Sequence, residues 1–201
     1  PMLIAKKLDF LMTGNLLLSF DNVRNGIPTM VVAAFFQKDP QAMLIHEGSY
    51  SSFSDLTTAP TILVSKDGQF SYWKWMVNAY GFRDEQVKPY GYNIAQFLSD
   101  KKMVQQAYGT AEPIYAAAAG AKPKTFLLAD QGWTTYSTTI EARSEMVKNN
   151  PDLVQRFVNA SIEGWYNFLY GNRTAAYELI MKDNPEMTKE KLDKEMKQFE
   201  K

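Results

Sequence analysis

The sequence predicts an α/β fold in which short buried strands alternate with helices. Short apolar runs recur through the first two thirds of the chain, and turns or amphipathic segments separate them. The last third has a helical pattern. Hydrophobic residues make up 45% of the 201 residues and charged residues 22%, which is typical of a globular protein with a sizeable core.

The predicted strands are short segments, apolar or β-branched, that end at turn residues. They are residues 8–13, 29–36, 42–46, 61–65, 86–90, 103–107 and 125–128. Helices of moderate length separate several of them, which favours βαβ units and a parallel sheet. The carboxyl ends of parallel strands meet at one edge of a sheet, so we look for a ligand site there.

The predicted helices are delimited by ordinary start and stop signals. The first ends at Gly26 and the next at Gly81, since glycine commonly ends a helix. A long helix starts at Pro151, because proline is favoured in a first turn. From Glu141 the pattern becomes helical, and Glu141 is assigned to a solvated helix face. The helices after the first are residues 71–80, 94–99, 113–121, 151–170, 174–182 and 188–200.

The composition excludes several classes of function. The 22 Lys and Arg residues balance the 22 Asp and Glu residues, so no net field attracts nucleic acid or an anionic membrane. Cysteine is absent, which excludes disulfides, thiol nucleophiles and zinc–thiolate or iron–sulfur sites. The single histidine, His46, lies in an apolar run and is interpreted as a core residue. We expect no metal site, no cofactor and no catalytic residue.

The first candidate site is Thr13, Gly14 and Asn15, which stand between a strand and a helix. Glycine allows a ligand to approach the backbone closely, while the Thr and Asn side chains supply hydrogen bonds. The alternative is that these residues only cap the start of a helix.

The second candidate site follows the strand at 61–65. Gln69, Ser71 and Tyr72 lie near the start of a helix, whose free amides can receive an anionic or carbonyl group. The segment lacks the Gly-Lys-Ser/Thr ending of a phosphate-binding loop. Lys66 is the only obvious cation near this site, and at least one of the aromatic residues 72, 73 and 75 is expected in the core.

The third candidate site is the segment that holds Gln106, Tyr108 and Glu112. A short apolar strand ends in polar groups there, and Glu112 with Pro113 opens an alanine-rich helix. A carboxylate near a helix start is stabilised by the helix dipole and can accept hydrogen bonds from a ligand.

The fourth candidate site is Trp133 with Tyr136, just after the last predicted strand. Two aromatic rings near a strand end can hold a flat ring between them by stacking. The alternative is that Trp133 plugs the junction between two lobes.

Taken in order, these segments resemble the NMT/THI-like periplasmic substrate-binding proteins that serve importers of nitrate, sulfonate and taurine, or of thiamine-pyrimidine and riboflavin precursors. The resemblance covers essentially the whole chain. It is carried by Asp9-Phe10 before residues 13–15, Tyr72-Trp73, Tyr80-Gly81-Phe82, residues 105–108 with Glu112-Pro113, residues 130–133, residues 157–161 and Gly164-Trp165.

The resemblance implies a type II periplasmic binding-protein fold, with two α/β lobes joined by two crossovers. Lobe I comprises residues 1–43 and 127–201, and lobe II comprises residues 44–126. The family's opening strand, helix and second strand are expected to be missing, together with some C-terminal helix. The family further implies a monomer that binds a small-molecule ligand and docks on the membrane permease of an ABC transporter. The resemblance also implies that the protein is periplasmic, or lipid-anchored outside the cytoplasm, and that its signal peptide is not part of this fragment.

The ligand that we favour is a pyrimidine-like heteroaromatic molecule. Cations are few near the expected cleft, whereas aromatic residues and the Glu112 carboxylate are available, and a carboxylate pairs well with the amino group of a heterocycle. One alternative is an anion of the nitrate, sulfonate or taurine type. The others are an enzyme similar to the pyrimidine synthase of thiamine biosynthesis, and the ligand-sensing domain of a regulator. The synthase is disfavoured because the chain has no cysteine and its only histidine lies in an apolar run.

Overall fold

The structure is a computed structural model that describes residues 2–199. The strands are β1 Phe10–Asn15, β2 Thr29–Phe36, β3 Gln41–His46, β4 Ile62–Val64, β5 Val87–Pro89, β6 Val104–Tyr108, β7 Pro123–Leu127 and β8 Ser137–Arg143. The α-helices are α1 Leu16–Arg24, α2 Lys66–Phe70, α3 Tyr72–Tyr80, α4 Ala95–Ser99, α5 Glu112–Ala118, α6 Ser144–Asn149, α7 Pro151–Tyr170, α8 Thr174–Asp183 and α9 Lys189–Phe199. The mixed α/β composition confirms the predicted class.

The larger sheet has five strands in the order β5-β4-β6-β3-β7. β4 is parallel to β5 and β6, while β3 is antiparallel to both β6 and β7. Four strands therefore point the same way, as the βαβ pattern predicts, and β3 is the exception. β3 reaches the sheet directly from β2 through residues 37–40 and enters at the edge where the parallel strands end, since Gln41 pairs with Tyr108.

The smaller sheet has three strands in the order β1-β8-β2, and both neighbouring pairs are antiparallel. Its central strand corrects the sequence analysis. The pattern from Glu141 onward was interpreted as helical, but residues 137–143 form β8. The segment holds Thr138, Thr139 and Ile140, which are β-branched and favour a strand. Polar residues dominate this strand, so it lacks the apolar pattern that marks a buried strand.

Glu141 is a second correction, because it is 1% exposed and does not lie on a solvated helix face. The hydroxyl of Ser19 donates to Glu141 Oε1, and Asn22 Nδ2 donates to Oε2 at 3.1 Å. Both donors come from α1, which packs over the sheet. The buried carboxylate is therefore satisfied by hydrogen bonds that no local pattern around Glu141 indicates.

Residues 37–40 and 128–136 are the two places where the chain passes from one sheet to the other. β3 and β7 belong as whole strands to the five-stranded sheet, so the predicted lobe boundaries at 43/44 and 126/127 fall inside strands. The division into lobes at 43/44 and 126/127 stays a proposal, and boundaries within 37–40 and 128–136 agree better with the strands. Lys38 and Asp130 form an ion pair of 2.6 Å that joins the two crossings.

Several helix boundaries agree with the sequence analysis. Gly81 ends α3 with a φ of +78°, and Pro151 occupies the first turn of α7. His46 is buried, stacks on Phe97 and contacts its carbonyl oxygen through Nε2 at 2.8 Å, which confirms its core position. The predicted end of the last helix at residue 200 lies outside the described residues. Within residues 2–199, no helix is both long and apolar enough to cross a bilayer.

Candidate functional site

A cavity of about 260 Å³ lies between the two sheets. The carboxyl ends of the parallel strands β4 and β6 border it on one side, and the carboxyl end of β1 borders it on the other. The amino ends of β3 and β8 complete the rim through Gln41 and Ser137. This is the position at which open α/β sheets bind ligands.

The cavity brings together residues from three of the four predicted sites. The predicted residues that line it are Gly14, Asn15, Ser71, Tyr72, Gln106, Tyr108 and Glu112. They come from β1, the start of α3, β6 and the start of α5, which are distant along the chain. Their part in binding stays a prediction, but the fold gathers them around one volume.

Four predicted site residues do not line this cavity, and three of them have structural contacts instead. Thr13 Oγ1 lies 2.6 Å from Thr139 Oγ1, which ties β1 to β8. Gln69 Nε2 donates to the Val64 carbonyl at 2.9 Å.

Trp133 is 4% exposed and donates from Nε1 to Asp39 Oδ2 at 3.0 Å, at the junction where the alternative interpretation placed it. Trp133 does not line the cavity between the sheets, and its stacking on a ligand stays a prediction. Tyr136 is exposed and lines a separate hollow beside the crossings, together with Leu17 and Phe20.

The sequence analysis missed several residues of the cavity wall. Asp39 lies between the predicted strands at 29–36 and 42–46, and Ser137 belongs to the strand that was not predicted. Asp67 and Tyr92 lie in segments whose polar character indicates only surface exposure.

Gln106 is fixed by two hydrogen bonds that define the direction of its amide. Its Oε1 accepts from the backbone N–H of Ser65 and from the hydroxyl of Tyr72, the latter at 2.7 Å. A backbone N–H can only donate, so the oxygen must face Ser65 and the NH₂ group must point elsewhere. Within residues 2–199 this Nε2 donates to no protein acceptor, and it remains available to a ligand.

Gly68 makes room for Tyr72 in this arrangement. A Cβ atom on Gly68 would lie 2.3 Å from the Tyr72 hydroxyl oxygen and 2.8 Å from Val64 Cγ1. Both distances are shorter than any real contact, so only glycine fits without displacement. Burial raises the pKa of Tyr72 well above its usual value, and the phenol is therefore a neutral hydrogen-bond donor to Gln106.

Asp39 is the most deeply buried carboxylate of the cavity wall, at 2% exposure. Its Oδ1 accepts from the backbone N–H of Gln41 at 3.0 Å, and its Oδ2 accepts from Trp133. Burial raises the pKa of Asp39, and these two hydrogen bonds offset part of that increase. Each carboxylate oxygen keeps a further lone pair for a ligand.

Glu112 is anchored at the start of α5. Its Oε2 accepts from the backbone N–H of Tyr108 at 2.8 Å, and its Oε1 accepts from the Tyr90 hydroxyl at 3.3 Å. Burial raises the pKa of Glu112, while the hydrogen bond from Tyr108 lowers it. The carboxylate is thus held in one orientation and can still accept a bond from a ligand.

The charges around the cavity have one sign. Asp39, Asp67 and Glu112 line it. Within the described part of the chain, the cavity wall contains no Lys, Arg or His. Lys66, the cation expected near the site, is exposed and does not line it. Among residues 2–199, no group of three or more acidic or histidine side chains is placed to hold a metal ion.

A family model described as NMT1/THI5 like matches residues 1–173. The chain belongs to the NMT1/THI5-like family. The match covers both sheets and the whole cavity wall, so the family assignment and the candidate site rest on the same residues. A comparison with curated proteins gives no match.

Solved structures similar to this NMT1/THI5-like chain are binding proteins of ABC transporters. The alkanesulfonate-binding protein SsuA from Xanthomonas axonopodis pv. citri, bound to MOPS, has a TM-score of 0.67 at 12% identity, over 97% of this chain and 68% of that one. The aliphatic sulphonate binding protein SsuA from Escherichia coli has a TM-score of 0.61 at 16% identity, over 90% of this chain and 59% of that one. The glycine betaine and L-proline binding protein ProX from Borrelia burgdorferi has a TM-score of 0.53 at 16% identity, over 76% of this chain and 63% of that one.

These similarities confirm the predicted periplasmic binding-protein fold. The chain spans 59% of the length of the Escherichia coli protein and 63% of the Borrelia protein. The neighbours are named for different ligands, sulfonates in two cases and betaine or proline in the third. The ligand of this chain must therefore be argued from its own cavity.

Proposed function

We propose that this chain is the solute-binding part of an ABC importer and acts outside the cytoplasm. Its ligand is a small organic molecule, a pyrimidine-like heteroaromatic ring that carries an amino group. The observation that carries this proposal is the cavity between the sheets, whose wall combines carboxylates with tyrosines and has no Lys, Arg or His. Family membership and fold support the transport role.

The hydrogen-bonding groups of the cavity match such a ring. Glu112 and Asp39 can accept from an amino group, since each oxygen keeps a free lone pair. Gln106 Nε2 can donate to a ring nitrogen. Tyr108 and Tyr92 provide aromatic surface for a flat ring. A molecule with both donors and an acceptor uses this wall better than one with acceptors alone.

The mechanism follows from the position of the cavity between the two sheets. A ligand that contacts Asn15 from one sheet and Gln106 from the other is bound better when the lobes are close together. Only contacts that improve in the closed form can shift the population towards it. The closed form is then the state that a membrane permease recognises.

Two alternatives are less well supported by this cavity. A sulfonate or nitrate anion is compatible with the family and with the SsuA neighbours, but carboxylates without a cation repel it. A synthase-like enzyme needs an activated base or nucleophile, and His46 lies outside the cavity wall with its Nε2 on the Phe97 carbonyl.

Isothermal titration calorimetry with an aminopyrimidine, the same pyrimidine without its amino group, and an alkanesulfonate tests the proposal. We expect the aminopyrimidine to bind at least about ten-fold more tightly than the other two, as a hydrogen bond to a charged group allows. Gln106→Leu should abolish this binding, while Gln155→Leu on the exposed face of α7 should not. Tighter binding of the sulfonate would contradict the ligand class, and binding of no probe would contradict a solute site in this chain.

A further inference from the structure

The electrostatics of the cavity wall define the ligand further than its ring chemistry does. Three carboxylates, Asp39, Asp67 and Glu112, face the same volume without a cation among the lining residues, all of which lie in the described part of the chain. Carboxylates around one small cavity disfavour each other's charged form unless a positive group lies between them. A neutral ligand would leave this repulsion uncompensated.

Asp39 differs from the other two carboxylates because it is withdrawn from solvent. It is 2% exposed and accepts hydrogen bonds from Gln41 and Trp133, which hold its orientation. Its nearest cationic neighbour in sequence, Lys38, is paired with Asp130 on the other crossing. The interaction of a charge with Asp39 is therefore weakly screened, and no protein cation of the cavity wall competes for it.

The tyrosines of the wall favour the same kind of ligand. Tyr72, Tyr92 and Tyr108 line the cavity, and aromatic rings attract organic cations through their electron-rich faces. Tyr72 and Tyr108 are also close enough to Asp39 to be affected by its charge, which adds to the increase in their pKa that burial causes.

A second feature that points to a ligand is the Gln106 amide. Gln106 is 8% exposed and lines the cavity, and its Nε2 has no acceptor within residues 2–199. The amide nitrogen is therefore free to donate to a molecule in the cavity. The carboxylates thus form part of a wall that is prepared for a molecule and not merely an acidic patch.

We infer that the cavity takes its ligand as an organic cation and that Asp39 is the buried counter-ion that determines this preference. The inference rests on the proposed function, and it narrows the ligand to one that carries a positive charge when bound. An amino-heterocycle that is protonated or alkylated on a ring nitrogen meets this requirement.

Two probes of nearly equal shape separate charge from size and stacking. The probe 4-amino-1-methylpyridinium carries a fixed positive charge, and 4-methylaniline is its uncharged isostere at neutral pH. Calorimetry on the whole chain should give at least about ten-fold tighter binding of the cation than of the uncharged probe. This ratio of the two affinities should rise further at low ionic strength. The ratio is measured within one protein, so it does not depend on the stability of a variant.

Asp39→Asn should reduce the ratio by about ten-fold, whereas Asp152→Asn should leave it unchanged, because Asp152 is an exposed residue of α7. If Asp39→Asn does not fold, Asp67→Asn provides a second variant of the wall, and its exposed position predicts a smaller reduction. Retention of the full ratio in folded Asp39→Asn would overturn the role of Asp39. Equal binding of the two probes overturns the cation preference and leaves solute binding intact, whereas binding of neither overturns both.

Discussion

Asp39 and Trp133 connect the two chain crossings through one hydrogen bond. Trp133 Nε1 donates to Asp39 Oδ2 at 3.0 Å across 94 positions of sequence. Asp39 belongs to the crossing at 37–40 and also lines the cavity, while Trp133 belongs to the crossing at 128–136. A ligand that contacts Asp39 therefore acts on a residue that also holds the crossings together.

Trp133→Phe should destabilise the chain by about 1–3 kcal/mol, because it leaves a buried carboxylate oxygen without its donor and removes packed ring atoms. The free energy of unfolding in urea is the measurement. Trp75→Phe is the matched control, since Trp75 packs against Trp133 but its Nε1 donates to no acceptor within residues 2–199. Equal losses in the two variants would show that the hydrogen bond contributes little.

Gly68→Ala should disrupt the cavity because the new methyl group would meet the Tyr72 hydroxyl oxygen at 2.3 Å. Displacement of Tyr72 removes its bond to Gln106, and overpacking of this kind costs about 1–3 kcal/mol. Gly164→Ala in α7 is the control, because no atom lies within 4 Å of its added Cβ, and it should stabilise by about 0.5–1 kcal/mol. Unfolding in urea and probe binding measure both effects, and a neutral Gly68→Ala would contradict this packing.

The parts of the fold that the sequence predicts well are those with local signals. Gly81 ends α3 and Pro151 starts α7 as expected, because the conformation of each is decided by a few neighbouring residues. The antiparallel direction of β3 has no such signal. It depends on how the chain passes from one sheet to the other, which is a long-range property.

The candidate site shows the same division. Gln106 and Tyr108 could be found because they lie at the end of a recognisable strand, and Glu112 because it opens a helix. Asp39 and Ser137 could not, since one lies in a crossing and the other in a strand whose polar residues are satisfied by distant partners. Residues that a second sheet contributes to a site are positioned by tertiary contacts, so local sequence patterns do not predict them.

Glu112→Gln should weaken binding of an aminopyrimidine by about ten-fold, because it replaces a charged acceptor with a neutral one. It should not weaken binding of an oxyanion, which gains from loss of the negative charge. Calorimetry with both ligands measures this difference, and Glu163→Gln on the exposed face of α7 is the control. Unchanged affinity for a confirmed aminopyrimidine ligand would contradict the role of Glu112.

Ser19→Ala should destabilise the chain by about 1–3 kcal/mol, since it removes a donor from the buried carboxylate of Glu141. Ser161→Ala is the control, because the Ser161 hydroxyl only donates to the Phe157 carbonyl within α7. Urea unfolding of both variants gives the comparison. Similar small losses would indicate that Asn22 alone satisfies Glu141.

The stability of the unliganded chain should carry a pH dependence that originates in the cavity. Burial raises the pKa of Asp39 and of Glu112, so the folded chain holds these protons at pH values where the unfolded chain has released them. The contribution of the two groups to the free energy of unfolding is therefore fully present below the ordinary carboxyl pKa of about 4 and is lost as the pH rises through the raised values. Exposed carboxylates such as Glu190, whose pKa a hydrogen bond from Lys194 lowers, act in the opposite direction but contribute little.

The double variant Asp39→Asn/Glu112→Gln isolates this contribution, because neither new side chain titrates. The difference in free energy of unfolding between the natural chain and the variant should shrink or change sign as the pH rises from about 4 to 7. Urea unfolding at several pH values measures it, with Glu163→Gln as the control. A saturating concentration of 4-amino-1-methylpyridinium should reverse this loss of stability with rising pH. The bound cation stabilises the ionised form of Asp39 and so lowers the pKa of that carboxyl group. A difference that is constant across this range would show that the two carboxyl groups titrate alike in the folded and unfolded chains.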